Sequence, residues 1–208
     1  MLIGTGDVRD WVKIPDGDKL PNPKLLNLCR SVQDFCDSYT HRKLEAARYN
    51  SDPNFTFYDG TGRRWIYTAQ YPISNVVAVY VDSERVFGAS TAIDSGDIFF
   101  YPDGKVVSEG EYFIRGRRNV KIDYIAGYAP IVGGTHSAVV SSYPLPYDLR
   151  QTMIEMVAEA YKEGVTAIHT VAGQEDTKIV RMFSANSAWK MTLGRYTKMD
   201  FGLGARDE

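Results

Sequence analysis

Arg63-Arg64-Trp65-Ile66-Tyr67-Thr68-Ala69-Gln70-Tyr71 is the stretch on which the reading of the fold turns. Trp65, Tyr67, Ala69 and Tyr71 point one way and Arg64, Ile66, Thr68 and Gln70 the other, the period of two that marks a strand. Upstream, residues 55–58 share that character, and Asp59-Gly60-Thr61-Gly62 between the two predicts a hairpin loop. Downstream, Pro72 interrupts and residues 75–81 resume as a β-branched strand that ends in the turn Asp82-Ser83-Glu84. Residues 98–101 and 105–107 enclose Pro102-Asp103-Gly104, which suits a type I turn with Pro at its second position and Gly at its fourth. Residues 112–114 and 120–125 read as a further antiparallel pair joined near Gly116-Arg117-Arg118-Asn119. Short strands at this spacing predict an antiparallel β-sandwich or barrel-like block of roughly six to eight strands.

Outward from this block the period becomes helical. Asn22-Pro23 supplies an N-cap and a first-turn proline, and Leu25, Leu28, Val32, Phe35 and Tyr39 then form one apolar stripe, bordered by Cys29 and Cys36. His41, Arg42 and Lys43 suit the negative end of that helix. Pro146 opens a second helix with the stripe Leu149, Met153, Met156, Val157 and Ala160, stopping at Gly164. A last short helix around residues 187–196 carries Trp189, Leu193 and Tyr196. Residues 165–183 read ambiguously, with a strand or extended arm over 177–183, and the Gly-rich tail from Lys198 reads as mobile. The class is α+β, with an N-terminal arm over 1–21, a helical core over 22–48 and 145–208 that includes a C-terminal arm, and a β-domain inserted over 49–144.

Composition narrows the function. At 44% hydrophobic and 24% charged the chain is ordinary globular material, but 12% aromatic with 14 Tyr leans toward sheet and contact surface. With 24 basic against 26 acidic residues, the chain is not basic enough to grip nucleic acid over its whole surface. Residues 1–13 have no basic stretch leading into an apolar run, so no signal peptide is expected, and no stretch approaches the about 18 apolar residues of a membrane span. Cys29 and Cys36 on one helix would stand roughly 10.5 Å apart at about 1.5 Å per residue, too far for a bridge, so both read as reduced core thiols.

No motif of catalysis emerges. The sequence has no phosphate-binding GxxxxGK[ST] loop, no HExxH or CxxC spacing and no GxSxG elbow. His41, His136 and His169 are isolated from one another, and Gly60-Thr61-Gly62 lacks the third glycine of a dinucleotide loop. Asp94-Ser95-Gly96-Asp97 and Glu109-Gly110-Glu111 read as turns rather than cation sites. No catalytic, cofactor or metal residue is therefore expected. Two charged groupings remain. Glu155, Glu159 and Glu163 form one acidic line along the second long helix, which a solvated face explains and a channel lining would also use. Arg63, Arg64, Arg117 and Arg118, with Arg115 and Lys121 nearby, sit at or beside strand turns; with Trp189 and Tyr196 they are candidate partner contacts.

The order of the pieces carries more than any one of them. Tyr58-Asp59-Gly60-Thr61-Gly62, then Tyr71-Pro72-Ile73, Val76-Val77-Ala78-Val79-Tyr80-Val81-Asp82, Val120-Lys121-Ile122-Asp123-Tyr124-Ile125-Ala126-Gly127-Tyr128 and Leu145-Pro146-Tyr147-Asp148-Leu149 follow the first helix. This arrangement, over about residues 22–163, resembles the tailed-bacteriophage head–tail connector (adaptor) proteins in their longer form, with a β-domain between helices. The resemblance implies a virion neck protein without enzymatic activity, made in the host cytoplasm and assembled as a ring, commonly a dodecamer, beneath the portal protein. It implies a docking surface for a head-closure or tail-completion protein and a lumen through which double-stranded DNA passes without sequence-specific binding. A segment over 184–208 would reach the portal, and the acidic line would repel phosphate along the channel. The rival readings are another neck component (head-closure or tail-terminator), a β-sandwich glycan binder using Trp65, Tyr67 and Tyr71, and a hydrolase with a site scattered over loops.

Overall fold

A computed structural model of the chain describes residues 1–13, 23–129, 141–163 and 186–198. These divide into two compact units, one helical and one β-rich. The helices are α1 (Thr5–Val12), α2 (Pro23–Thr40), α3 (Pro53–Thr56), α4 (Tyr147–Lys162) and α5 (Ser187–Arg195); α3 alone belongs to the β-rich unit.

In the helical unit α2 and α4 pack together, and α1 and α5 pack against both. The stripe of α2 is shifted from its expected place: Leu25, Leu28, Cys29, Val32 and Cys36 are fully buried, while Phe35 and Tyr39 form a tilted ring pair on its flank. The cysteines sit inside the stripe because α1, α4 and α5 together cover a wider arc of α2 than one partner would. Both thiols are free. The helix stops where His41 takes a left-handed φ of 54° and the Arg42 N–H returns to the Asp37 carbonyl at 3.1 Å. Buried Asp37 then accepts from the Leu44 N–H at 3.0 Å and pairs with Lys43 at 3.3 Å, while burial pushes its carboxyl above the ordinary range. On α4, Leu149, Met153, Met156, Val157 and Ala160 are all fully buried, as their spacing predicts.

The expected irregular arm at the N-terminus is a correction. Residues 5–12 form α1, with Leu2, Ile3 and Val8 fully buried. Asp7 makes this possible for a short helix. Its carboxylate accepts the Gly4 N–H at 2.9 Å, closing the first turn, and pairs with Arg150 of α4 at 2.7 Å. The remaining residues of that arm, with the N-cap Asn22, lie outside the described residues. So do the ambiguous 165–183, the tail from 199, His136 and His169.

The β-rich unit holds β1 (Ala47–Tyr49), β2 (Phe57–Gly60), β3 (Trp65–Tyr67), β4 (Ile73–Val81), β5 (Ile98–Phe100), β6 (Lys105–Ser108) and β7 (Gly116–Ala126). They form two antiparallel sheets and no closed barrel among the described residues. In the larger sheet β7 is central. β4 runs along one edge, from Ile73 opposite Ala126 to Val81 opposite Val120; β1 and β2 share the other edge in tandem, Ala47 opposite Ala126 and Phe57 opposite Lys121. The smaller sheet has the order β3-β6-β5, with Trp65, Val107 and Phe99 in one row. Tyr49, Ile66, Ile73, Val79, Val106, Phe113, Ile122 and Tyr124 are among the core of the unit.

Two expected hairpins are not made. The chain does not turn back at residues 59–62; it crosses from one sheet to the other, so β2 pairs with β7 and β3 with β6. Asn119 holds the crossing: its amide oxygen accepts the Gly60 N–H at 2.9 Å and its NH2 donates to the Ile114 carbonyl at 2.8 Å. Residues 116–126 are likewise one strand rather than the second half of a pair, and Phe113 instead bridges to Arg63. The Pro102 turn forms as expected: the Gly104 N–H donates to the Tyr101 carbonyl at 3.1 Å, and Gly104 has the positive φ of 94° that favours glycine.

Candidate functional site

The acidic line of α4 is divided by its surroundings. Glu155 is half-buried: it accepts the Gln151 amide at 3.0 Å and the Trp189 indole N–H at 3.2 Å. Glu159 and Glu163 are exposed, one turn apart at the end of the helix. Trp189 is only 7% exposed, so its ring is spent inside the helical unit and presents little to a partner. Tyr196 donates its hydroxyl to Asp148 at 2.5 Å, and Arg195 pairs with the same carboxylate at 3.7 Å. The Arg42 guanidinium donates to the Tyr196 carbonyl at 3.4 Å, and the Lys198 N–H donates to the Thr40 carbonyl at 2.8 Å. These bonds fasten the C-terminal end of α5, and the Trp189–Glu155 bond fastens its first turn.

The four arginines of interest fall into two places. Arg117 and Arg118 lie in the bulged start of β7, both exposed. Arg118 takes a φ of 51°; its N–H donates to Asp59 at 2.7 Å, its guanidinium donates to the Pro53 carbonyl at 2.7 Å and stands over Phe57. It is tied to the fold, whereas Arg117 is displayed. Arg63 and Arg64 immediately precede β3, beside residues 108–113, with Arg63 over the Trp65 ring at 4.8 Å and Arg64 over Tyr112 at 4.7 Å. Trp65 also carries Lys105 at 5.6 Å. A ring so capped by two cations is a poor flat platform for a sugar, and Tyr71 lies beyond the strand at the cis Tyr71–Pro72 bond.

One site was not expected from the sequence beyond its turn. The Asp82 carboxylate accepts the N–H groups of Glu84, Val86 and Phe87 at 2.8, 2.9 and 2.8 Å. These bonds, that of Phe87 foremost, hold its carboxyl below the ordinary carboxylate range. The loop walls a cavity of about 450 Å³ with Val81, Val86, Thr91, Ile114 and Asn119 on its lining. A polar turn sequence shows the cap but not the wall it builds. Among the described residues no three His, Cys, Asp or Glu side chains gather as metal ligands, and no helix is long and apolar enough to cross a membrane.

Comparison with known proteins resolves what the surfaces leave open about fold. A chain in the neck of an empty gene transfer agent (GTA) particle, computed with C6 symmetry, matches over 95% of this chain and 90% of its own, with a TM-score of 0.55 at 15% identity. The fold is that of a neck chain. A chain of the virion of the native GTA particle matches over the same shares, with a TM-score of 0.51 at 16% identity. No family profile matches the sequence, and no curated protein does.

Proposed function

We propose that this chain is a structural protein of a phage-type virion neck, and within the neck the adaptor ring beneath the portal. The observation that carries the reading is the fold likeness to a GTA neck chain across 95% of this chain, both units included. The order of helices and β-unit, read independently from the sequence, points the same way. In this reading the chain has no catalytic role and works through surfaces. Copies close into a ring, portal protein lies on one side and a head-closure or tail-completion protein on the other, and double-stranded DNA passes through the lumen. Exposed Glu159 and Glu163 would line that lumen, where negative charge keeps phosphate from adhering.

Deleting the gene in a producing strain tests this directly. The expected product is DNA-filled heads without tails, restored to tailed particles when the chain is supplied in trans. Normal yields of tailed particles without the chain would refute the neck role. Tailless heads in which a complemented, labelled copy sits away from the portal would refute the adaptor position alone.

A further inference from the structure

The crossing between the two sheets carries an arginine-rich ribbon. Residues 60–63 run antiparallel beside 113–116: Gly60 pairs with Gly116, the Gly62 N–H donates to the Phe113 carbonyl at 2.6 Å, and a backbone bridge joins Arg63 to Phe113. Gly60, Gly62 and Gly116 leave the ribbon with few side chains of its own, so the long ones lie along it. The Arg115 stem passes Gly62 so closely that an added Cβ there would stand 3.0 Å from its Cγ, and the Arg63 guanidinium stands over Trp65 at 4.8 Å. Arg117 and Arg118 continue from the end of the ribbon, and all four arginines are exposed.

The charge there is one-sided. Asp59 is the one carboxylate on residues 59–63 and 112–118, and it accepts the Arg118 N–H at 2.7 Å. Among the described residues no ion pair reaches Arg63, Arg115, Arg117 or Arg118. The Arg118 guanidinium donates to the Pro53 carbonyl, a neutral group that leaves its charge uncancelled. Glu109 and Glu111 make the far end, beside Arg64, mixed in sign, and the loop across the cavity carries Glu84 next to Arg85.

Unpaired guanidiniums held this close repel one another, and a ligand with closely spaced negative charge relieves that repulsion. The stretch is roughly 16 Å long, at about 3.3 Å per residue. Duplex DNA presents roughly nine phosphates over that length. The planar guanidinium donates in pairs to phosphate oxygens, and the Trp65 ring holds the Arg63 plane without cancelling its charge.

We propose that this ribbon is a contact for the phosphate backbone of double-stranded DNA, made by Arg63, Arg115, Arg117 and Arg118 without reading base sequence. The proposal deepens the neck reading above and rests on it to bring duplex DNA within reach. Glu159 and Glu163, which would repel phosphate, belong to the helical unit, and the ribbon belongs to the β-rich unit. The chain thus keeps on separate units a surface that lets DNA pass and one that holds it.

Fluorescence anisotropy of a labelled duplex tests this with the full-length protein. Wild type is expected to bind with a Kd below about 10 μM at about 50 mM salt, and about 40- to 150-fold more weakly at about 200 mM, as three to four phosphate contacts require. R115E/R117E should bind at least about tenfold more weakly than wild type at the lower salt, with R115Q/R117Q intermediate and its salt dependence flatter by about two contacts. Neither arginine makes a hydrogen bond or ion pair among the described residues, so both variants should keep the thermal transition of wild type. K190E/K198E makes the same change in net charge on exposed lysines of the helical unit and should stay within about threefold of wild type. No binding by wild type, undiminished binding by R115E/R117E, or an equal loss in K190E/K198E would each overturn the contact. Equal displacement of the duplex by poly-glutamate at matched charge would also overturn it and assign the ribbon to an acidic protein. The deletion strain reads the neck role separately: tailless heads without DNA binding would sink the ribbon alone, and DNA binding with normal tailed particles would sink the neck role alone.

Discussion

The Trp189 indole N–H donates to the Glu155 carboxylate across 3.2 Å, joining α5 to the middle of α4 over a separation of 34 residues. Trp189 is buried and Glu155 half-buried, so the bond is shielded from water on one side and charge-assisted on the other. W189F keeps most of the apolar ring and removes the donor. It is expected to cost about 1.5–3 kcal/mol in urea unfolding, the range for a hydrogen bond to a charged group. In a double-mutant cycle with E155A the two losses should overlap by about 1 kcal/mol. Strictly additive losses would show that the bond contributes nothing to holding α5.

A second polar bond lies in the β-rich unit. The Tyr58 hydroxyl donates to the Phe55 carbonyl at 2.6 Å, accepts the Ala69 N–H at 3.1 Å, and stands 2.9 Å from the Tyr124 hydroxyl, which therefore donates to it. Burial pushes the Tyr58 hydroxyl up to about 12 against the opposing pull of these bonds, and burial with the nearby Tyr58 raises Tyr124 as well. A raised folded value means that the protonated form is favoured in the native state. Its stabilisation is complete below the unfolded value of about 10 and is lost as pH rises from there through about 12. Y58F is expected to cost about 1–3 kcal/mol at neutral pH, because three groups lose one partner, and to flatten the alkaline fall in the urea midpoint. A variant as stable as wild type, with an unchanged alkaline limb, would refute this role.

Much of the architecture was legible because it is local. Ile66, Thr68 and Gln70 are buried as the alternation requires, the Tyr101–Gly104 turn closes as its residues dictate, and the stripe of α4 faces the core. What stayed illegible is non-local. The crossing at Gly60 depends on Asn119, 59 residues later, and α1 depends on Arg150, 143 residues from Asp7. Gly4 also hides that helix, since it caps through its backbone N–H and not through a side chain. For the candidate surfaces, spacing located the charges but not their engagement. Arg118 and Glu155 proved occupied within the chain, and the arginine ribbon emerged only when residues 60–63 and 113–116 were aligned.

The buried thiols yield a chemical test of the helical core. Burial pushes the Cys29 thiol up to about 12, with the negative charge of Asp7 adding to it, and burial beside Asp37 raises Cys36 further in the same direction. Thiolate is the reactive form, so both should stay neutral and inert near about pH 8. A maleimide reagent is expected to label neither in the folded protein and both in denaturant, with rates set by unfolding. Prompt labelling of Cys29 under native conditions would mean that α1 and α4 do not cover it.

The crossing between sheets can be tested at one atom. A Cβ built on Gly60 would stand 1.8 Å from the Ile114 carbonyl oxygen and 2.9 Å from the Asn119 amide oxygen. The obstructing atom nearest it is backbone, held in turn by the Asn119 NH2, so no side-chain rotation can make room. G60A must therefore displace the 114 segment or break the Asn119 bonds, and is expected to cost about 3 kcal/mol or more. Gly88 is the matched control: nothing lies within 4 Å of its added Cβ. G88A should fall within about 0.5 kcal/mol of wild type. N119A should resemble G60A in part, because it leaves the Gly60 N–H and the Ile114 carbonyl without their shared partner. Equal stability of G60A and G88A would show that the chain turns at residues 59–62 as a hairpin after all, with β2 and β3 side by side.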